Sequence, residues 1–301
     1  MLKNGKINSV KFMDGILIVN KDFGCTSRDV VNETCKILNT KKIGHTGTLD
    51  PIATGVLVLC VGQATKLVEI ISSLDKEYIA EVTLGTLTDT LDNTGNILKE
   101  EKVKITKEKI IDTLNNMIGV YDQEVPIYSA IKVKGKKLYE YARNNEEITL
   151  PKRKVTIKEL ELISDVKYVN DKTIFSIRCS VSKGTYIRSL IRDLALNLNT
   201  IGIMSKLNRI KQGKFNIDDS YTLSDIKNGD YKLIPMLDIL DNIKQVNVDD
   251  EFEIKLKNGL ILNNIYGEDV VLFKNNNRLI SIYKTYGKDE SKIKPWKTFK
   301  N

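Results

Sequence analysis

The segment Gly44-His-Thr-Gly-Thr-Leu-Asp-Pro-Ile-Ala-Thr-Gly55 constrains this chain more than any other. Its glycines, Gly44, Gly47 and Gly55, surround a single carboxylate, Asp50, and set it near the only histidine, His45. Glycine reaches backbone conformations closed to other residues, and Pro51 fixes φ just after the aspartate. The chain therefore folds closely around something here, ahead of Val56-Leu-Val-Leu-Cys-Val61, which reads as a buried strand. A lone Asp in such a loop is a nucleophile, a metal ligand or a turn former. No second Asp, Glu or His stands at metal-ligand spacing, so a metal is poorly supported. No Gly-Lys-Ser/Thr ends the loop, which removes a phosphate-binding loop. Residue types alone leave the nucleophile and an Asx turn both open.

The rest of the chain alternates strand-like and helix-like stretches. Gly15 to Asn20 reads as a short buried strand, and Thr26 or Ser27 caps a helix to about Leu38. Ala64 to Ile71 reads as helix. In Lys76 to Leu84, Tyr78, Ala80, Val82 and Leu84 share one face of a half-exposed strand. Thr106 caps a helix through about Met117, with Gly119 beyond its end. Residues 120–154 read as an excursion from the core, rich in Lys, Arg and Tyr, with a short helix near Leu138 to Arg143. Strands resume at Val155 to Ile163 and Thr173 to Val181, a helix spans Tyr186 to Leu198, and Met204 to Lys211 is a strand. From Val246 onward, short β-like runs separated by Asn/Gly turns suggest a small all-β module.

At 301 residues there is room for one large domain and one small one. Four cysteines without a CxxC pair imply neither zinc nor a disulfide framework. Reduced thiols, the polar start Met1-Leu-Lys-Asn-Gly-Lys and the lack of any apolar run of membrane-spanning length suggest a cytoplasmic protein with no membrane contact. Net charge is +8, and residues 236–301 hold 11 Lys+Arg against 10 Asp+Glu, so the excess is almost all in residues 1–235. A basic main domain suits a polyanion such as nucleic acid.

Three segments carry a resemblance. They are Gly44 to Lys66, Pro126-Ile-Tyr-Ser-Ala-Ile-Lys-Val-Lys-Gly-Lys-Lys-Leu-Tyr-Glu-Tyr-Ala-Arg143, and Ser182-Lys-Gly-Thr-Tyr-Ile-Arg-Ser-Leu-Ile-Arg-Asp193. In composition, order and spacing they resemble the bacterial tRNA pseudouridine-55 synthases, the TruB family. The likeness spans nearly the whole chain, strongest over residues 15–210 and weak over the last 60. At Asn20-Lys21-Asp22 the family usually has Asp-Lys-Pro, so only Lys21 is kept.

The resemblance implies an α+β fold: a mixed, mostly antiparallel central sheet flanked by helices, with the active site in a cleft across it. Residues 1–238 would be the catalytic domain, 126–154 an RNA-clasping insertion, and 239–301 a PUA-like domain. The implied reaction converts one uridine in the tRNA T-arm to pseudouridine: uracil is detached from C1′, turned over and rejoined through C5. Asp50 falls on the catalytic aspartate and Arg188 on its arginine partner, whose positive charge and bidentate geometry would favour and orient the carboxylate. Attack at ribose C1′ or at uracil C6 is left open; either is carboxylate covalent catalysis. His45, Tyr78, Tyr186 and Leu207 fall on positions lining the uridine pocket, and Lys21 is counted with them. His45 would fill the space of the extruded nucleotide, Tyr78 would stack on the uracil, Tyr186 would reach its edge and is one possible base for C5, and Leu207 would keep the free uracil from water. Lys132, Lys134, Lys136, Lys137 and Arg143, interleaved with tyrosines, suit RNA phosphates.

No metal or cofactor is needed for an isomerisation. The Lys-Gly-Lys-Lys-Leu-Tyr-Glu-Tyr-Ala-Arg run and the lack of a long basic tail point to a stand-alone bacterial form, a monomer without guide RNA. A rival reading is an RNA-binding module or tRNA-folding chaperone without catalysis.

Overall fold

The structure is a computed structural model and describes residues 13–300. β1 (Gly15–Lys21) leads into α1 (Ser27–Ile37), the short β2 (Ile43–His45), β3 (Ala53–Val61), α2 (Val68–Ser72), β4 (Lys76–Leu84) and the hairpin of β5 (Thr86–Thr88) and β6 (Ile97–Glu100). Then come α3 (Lys107–Asn116), β7 (Gly119–Glu124), the small hairpin of β8 (Lys132–Val133) and β9 (Lys136–Lys137), α4 (Leu138–Arg143), β10 (Lys152–Leu162), β11 (Lys167–Val169) and β12 (Lys172–Val181). α5 (Ile187–Asn197), β13 (Gly202–Gln212), β14 (Phe215–Asn216) and α6 (Leu223–Asn228) follow. The chain closes with β15 (Lys244–Asn247), α7 (Asp250–Lys257), β16 (Leu262–Asn263), β17 (Val270–Asn275), β18 (Arg278–Tyr286) and β19 (Asp289–Thr298).

A ten-stranded sheet runs in the order β1-β3-β13-β4-β12-β10-β7, with β2, β14 and β11 attached to β3, β13 and β12. Within this sheet, among the described residues, only β3 and β13 pair in parallel. This is the mixed, mostly antiparallel α+β sheet expected from the sequence. Register explains two kinds of sequence pattern. β1 and β3 read as unbroken apolar runs because both faces are covered. Leu17, Val19, Leu57, Leu59 and Val61 pack against Val30 and Val31 of α1. Ile16, Ile18, Val56, Val58 and Cys60 meet Leu272, Leu279, Ile282 and Phe299 of the C-terminal strands and tail. β4 alternates because only one face is buried: Tyr78, Ala80, Val82 and Leu84 are in the main core, while Glu77 and Glu81 pair with lysine and arginine on the open side. Burial of each such aliphatic side chain is worth about 2 kcal/mol.

The C-terminal unit is a five-stranded sheet, β15-β17-β18-β19-β16. Phe273 and Tyr283 meet edge-on at its centre, with ring centroids 5.0 Å apart. It also carries α7, capped by Asp249, an element the sequence reading did not contain. It packs on the main sheet, and Lys297 pairs with Glu69 at 2.9 Å across the junction.

Two local expectations differ. Residues 119–124 and 152–154 belong to the central sheet as β7 and the start of β10, rather than to an excursion. Their exposed charged residues hide the apolar alternation that marks a strand. What leaves the sheet is the stretch between Val125 and Pro151, closed at its neck where Val125 N–H donates to Pro151 O at 3.0 Å. Ala64 to Ile71 begins as a 3₁₀ turn, Gly62–Leu67, before becoming α2. Among the described residues no helix is long and apolar enough to cross a membrane.

Candidate active site

The loop between β2 and β3 is fastened from below by side chains of distant elements. The Ser27 hydroxyl accepts from Leu49 N at 2.8 Å and donates to Leu49 O at 3.1 Å. Gln212 Nε2 donates to Thr46 Oγ1 at 2.8 Å. Arg209, only 1% exposed, donates from Nε to Val56 O at 2.6 Å and from Nη2 to Gly47 O at 3.1 Å. Where the loop re-enters the sheet, Gly55 has φ +99°, and a Cβ there would meet Arg209 O at 2.3 Å, so only glycine fits.

This framework presents Asp50 to a cleft of about 420 Å³, lined by His45, Tyr78, Tyr186, Arg188, Leu207 and Arg209 among others. Leu207 lies between Ala53 of β3 and Ala80 of β4, and Arg209 lies opposite Tyr78. The Asp50 carboxylate makes no hydrogen bond to its own loop among the described residues, so the Asx turn is not formed. Instead Arg188 Nε sits 3.0 Å from Asp50 Oδ2; the Asp50 side chain is 42% exposed and that of Arg188 7%. The expected bidentate contact is absent. Arg188 Nη1 donates to Thr90 O at 2.9 Å and Nη2 to Tyr128 O at 3.0 Å, so main-chain acceptors take the rest of the fork.

This chain's residues 35–187 match the family described as TruB family pseudouridylate synthase (N terminal domain). The chain belongs to the TruB family. It is 44% identical over 277 residues to tRNA pseudouridine synthase B of Caldanaerobacter subterraneus subsp. tengcongensis, covering 91% of this chain and 93% of that protein. To tRNA pseudouridine synthase B of Staphylococcus aureus (strain JH9) it is 41% identical over 302 residues, covering 95% and 99%. The fold is shared with two solved assemblies, an H/ACA RNP bound to a substrate RNA containing 2'-deoxyuridine (TM-score 0.69, 23% identity, 95% of this chain and 85% of that one) and a Cbf5-Nop10-Gar1 complex (0.68, 24%, 94% and 80%). A TruB-family chain is a pseudouridine synthase, which is an isomerase.

Five of the residues singled out from the sequence of this TruB protein, His45, Tyr78, Tyr186, Arg188 and Leu207, meet around Asp50. Burial pushes the Tyr78 and Tyr186 phenols up; the Arg209 charge opposes that on the first, and the Arg153 charge opposes it on the second. Burial, with Arg209 and Arg28 nearby, holds His45 below its ordinary value, so its imidazole is neutral at neutral pH, and its Nδ1 is buried without a hydrogen-bond partner among the described residues.

Lys21 is a correction. It does not line the cleft: its ammonium is buried behind the Asp50 loop, donating to Ala53 O at 2.7 Å and Asp22 O at 2.9 Å. Lys132, Lys134, Lys136, Lys137 and Arg143 lie on the β8–β9 hairpin and α4, outside the cleft. Lys132 and Lys134 are exposed. Lys136 pairs with Glu146 at 2.5 Å and stands over the Tyr141 ring; Lys137 and Arg143 stand over Tyr139.

Three site residues escaped the sequence reading. Arg209 has been described. Asp92 is buried, accepts from Thr94 N at 3.0 Å and approaches Arg188 Nη1 at 3.8 Å. Gln123, on β7, grips the backbone of Tyr186 with both ends of its amide: Oε1 accepts from Tyr186 N at 2.8 Å and Nε2 donates to Tyr186 O at 3.1 Å. No local sequence pattern marks this glutamine among Gly119-Val-Tyr-Asp-Gln-Glu124.

Proposed function

We propose that this protein converts uridine 55 in the T-arm of tRNA to pseudouridine, with Asp50 as nucleophile. The observation that carries the reading is the Asp50–Arg188 contact in a cleft walled by Tyr78, Tyr186 and Leu207. The related proteins' name, tRNA pseudouridine synthase B, supports tRNA as substrate. The target uridine is extruded from the folded T-loop at a cost of about a few kcal/mol, and the neutral His45 ring beside the cleft occupies the space it leaves. The uracil enters against Tyr78. Asp50 attacks C1′ or C6, the C1′–N1 bond breaks, the base turns over, and C5 bonds to C1′; the Asp50 bond breaks as C5 displaces it from C1′, or by elimination from C6, which frees the carboxylate. The C5 proton then leaves and N1 gains one, so the overall change is an isomerisation. Tyr78 has a guanidinium, Arg209, opposite it on the neighbouring strand, whose charge opposes the effect of burial on the phenol. Either tyrosine is placed to accept the C5 proton, each with a cation nearby to stabilise a developing phenolate: Arg209 for Tyr78, Arg153 and Arg188 for Tyr186 at the base edge. Leu207 closes the cavity while the base is free. Lys21 supports the loop rather than the substrate.

Residues 1–238 act as the catalytic unit and 239–301 as a PUA-like module, in a monomer that works in the cytoplasm without guide RNA or cofactor. The insertion of residues 126–154 clasps the T-arm, with Lys132, Lys134, Lys136, Lys137 and Arg143 near RNA phosphates.

Mapping the modified base tests this. An unmodified tRNA transcript is incubated with the protein, treated with carbodiimide and read by primer extension. A single new stop diagnostic of position 55 is expected. Stops elsewhere, or none, would overturn the assignment.

A further inference from the structure

Lys76 opens β4 two residues before Tyr78 and therefore points to the same face, roughly 6.6 Å away along the strand. It lines the cleft and is 7% exposed. Its ammonium donates to Ser72 O at 2.7 Å and Leu74 O at 2.5 Å. An ammonium has three donors, and the third has no partner among the described residues.

Among the described residues no carboxylate pairs with this charge. Asp75 pairs with Lys158 at 2.5 Å. Glu77, on the open face of β4, is held by Arg178 at 2.8 Å and Lys211 at 3.0 Å. The charged groups that bear on Lys76 most are two cations, Arg209 and Lys183, with Asp75 opposing them weakly; together with burial, the largest cause, they push Lys76 down to about 8. The cleft lining sets Lys76, Lys183, Arg188 and Arg209 against the single carboxylate of Asp50, to which Arg188 is committed. Arg209 spends its donors on the carbonyls of Gly47 and Thr48 in the Asp50 loop and of Val56 in β3. Lys76 is thus a buried cation with an unused donor and no counter-ion, facing a cleft at the length scale of one nucleotide from the Tyr78 ring. A buried charge of this kind costs stability unless something else supplies the opposite charge.

We propose that Lys76, with Lys183 at the rim, is the anchor for an RNA phosphodiester next to the nucleotide whose base reaches Tyr78. The inference rests on the RNA-modifying role proposed above. Lys76 is a binding residue; it holds the backbone while the base is turned over.

The test uses the full chain, Lys76→Met and Lys76→Arg, with a fluorescent T-arm hairpin and an unmodified full-length tRNA, titrated over a range of potassium chloride. Lys76→Met should bind about tenfold more weakly at low salt, and the slope of log K against log salt should shrink by about 0.7 to 0.9, one phosphate contact. Its Tm should equal or exceed that of the wild type, because an unpaired buried charge is gone. Lys76→Arg should restore most of the slope. Wild-type affinity should weaken above pH 8, where the free lysine loses its proton, and Lys76→Met should lack that limb. An unchanged slope with a lowered Tm would make Lys76 a structural residue and overturn the proposal, while leaving the wild type's RNA binding and its enzymatic reading intact. Failure of the wild type to bind either RNA would overturn both.

Discussion

Arg188 touches Asp50 with one nitrogen only: Nε lies 3.0 Å from Oδ2, while Nη1 and Nη2 donate to the carbonyls of Thr90 and Tyr128. The arginine is oriented by main chain from two separate loops, and it orients the carboxylate in turn. One carboxylate oxygen is held and the other is left to the cleft. A nucleophile that must attack benefits more from this arrangement than from a bidentate clamp that would occupy both oxygens. Tyr128 lies within the stretch that leaves the sheet, so this contact also ties the insertion to the arginine that holds Asp50.

Replacing Arg188 by lysine keeps the charge but removes the fork. The account predicts a fall of about 10- to 100-fold in single-turnover pseudouridine formation, the equivalent of one charge-assisted hydrogen bond of about 1.5–3 kcal/mol. Affinity for a T-arm hairpin should change little. Rapid-quench kinetics beside a binding titration separates the two.

His45 gives a clean pH prediction because it is the only histidine. Its folded value lies below the ordinary 6.5, chiefly through burial. The unfolded chain therefore takes up the proton first. Above pH 6.5 both states are neutral and the contribution to stability is constant; below it stability is lost as the pH falls toward the folded value. Wild-type stability relative to His45→Asn, from urea midpoints, should be flat from pH 8 to 7 and decline from about 6.5 downward. The imidazole proton resonances should titrate below pH 6.5 in the native protein.

Gln123 is expected to act through Tyr186. Gln123→Leu leaves Tyr186 N–H without its partner, at a cost of about 1–3 kcal/mol in stability. Because Tyr186 starts the helix that carries Arg188, the single-turnover rate should drop by about one to two orders of magnitude, with hairpin affinity nearly unchanged. Denaturant midpoints and a rate-against-affinity comparison check both halves.

The stretch between β7 and β10 should tighten on RNA. It has a small core of its own, Val125, Leu138 and Tyr141, against which Tyr186 packs, and its exposed Lys132 and Lys134 have no ion-pair partner among the described residues. Hydrogen exchange across residues 126–154 should slow when a T-arm hairpin is added. Unchanged protection there would contradict a clasping role.

What could be read in advance follows from how each residue earns its burial. β1 and β3 were legible because both faces are covered, which writes an unbroken apolar run. β4 was legible because one face is open, which writes alternation. The pairing of Asp50 with Arg188 was visible only through three motifs taken together, since nothing in a local pattern links a loop aspartate to a distant helix. Arg209, Gln123 and Asp92 stayed hidden for a common reason. The partners that matter lie far off in sequence: backbone of the Asp50 loop for Arg209, backbone of Tyr186 for Gln123 and the Arg188 side chain for Asp92; an arginine within a strand looks the same whether it faces water or lies under a loop. Lys21 was visible, but its burial behind the Asp50 loop was not. Helix α7 was missed because its eight residues lie in a region dominated by short β-like runs.

The most direct test of the central claim is tritium release from a T-arm hairpin labelled at uracil C5, comparing wild type with Asp50→Asn. The variant keeps the shape of the side chain and removes its charge and nucleophilicity. The account predicts release to water by the wild type without any added cofactor and none above background by Asp50→Asn, with both proteins binding the hairpin. Equal release by the two would contradict Asp50 as the nucleophile.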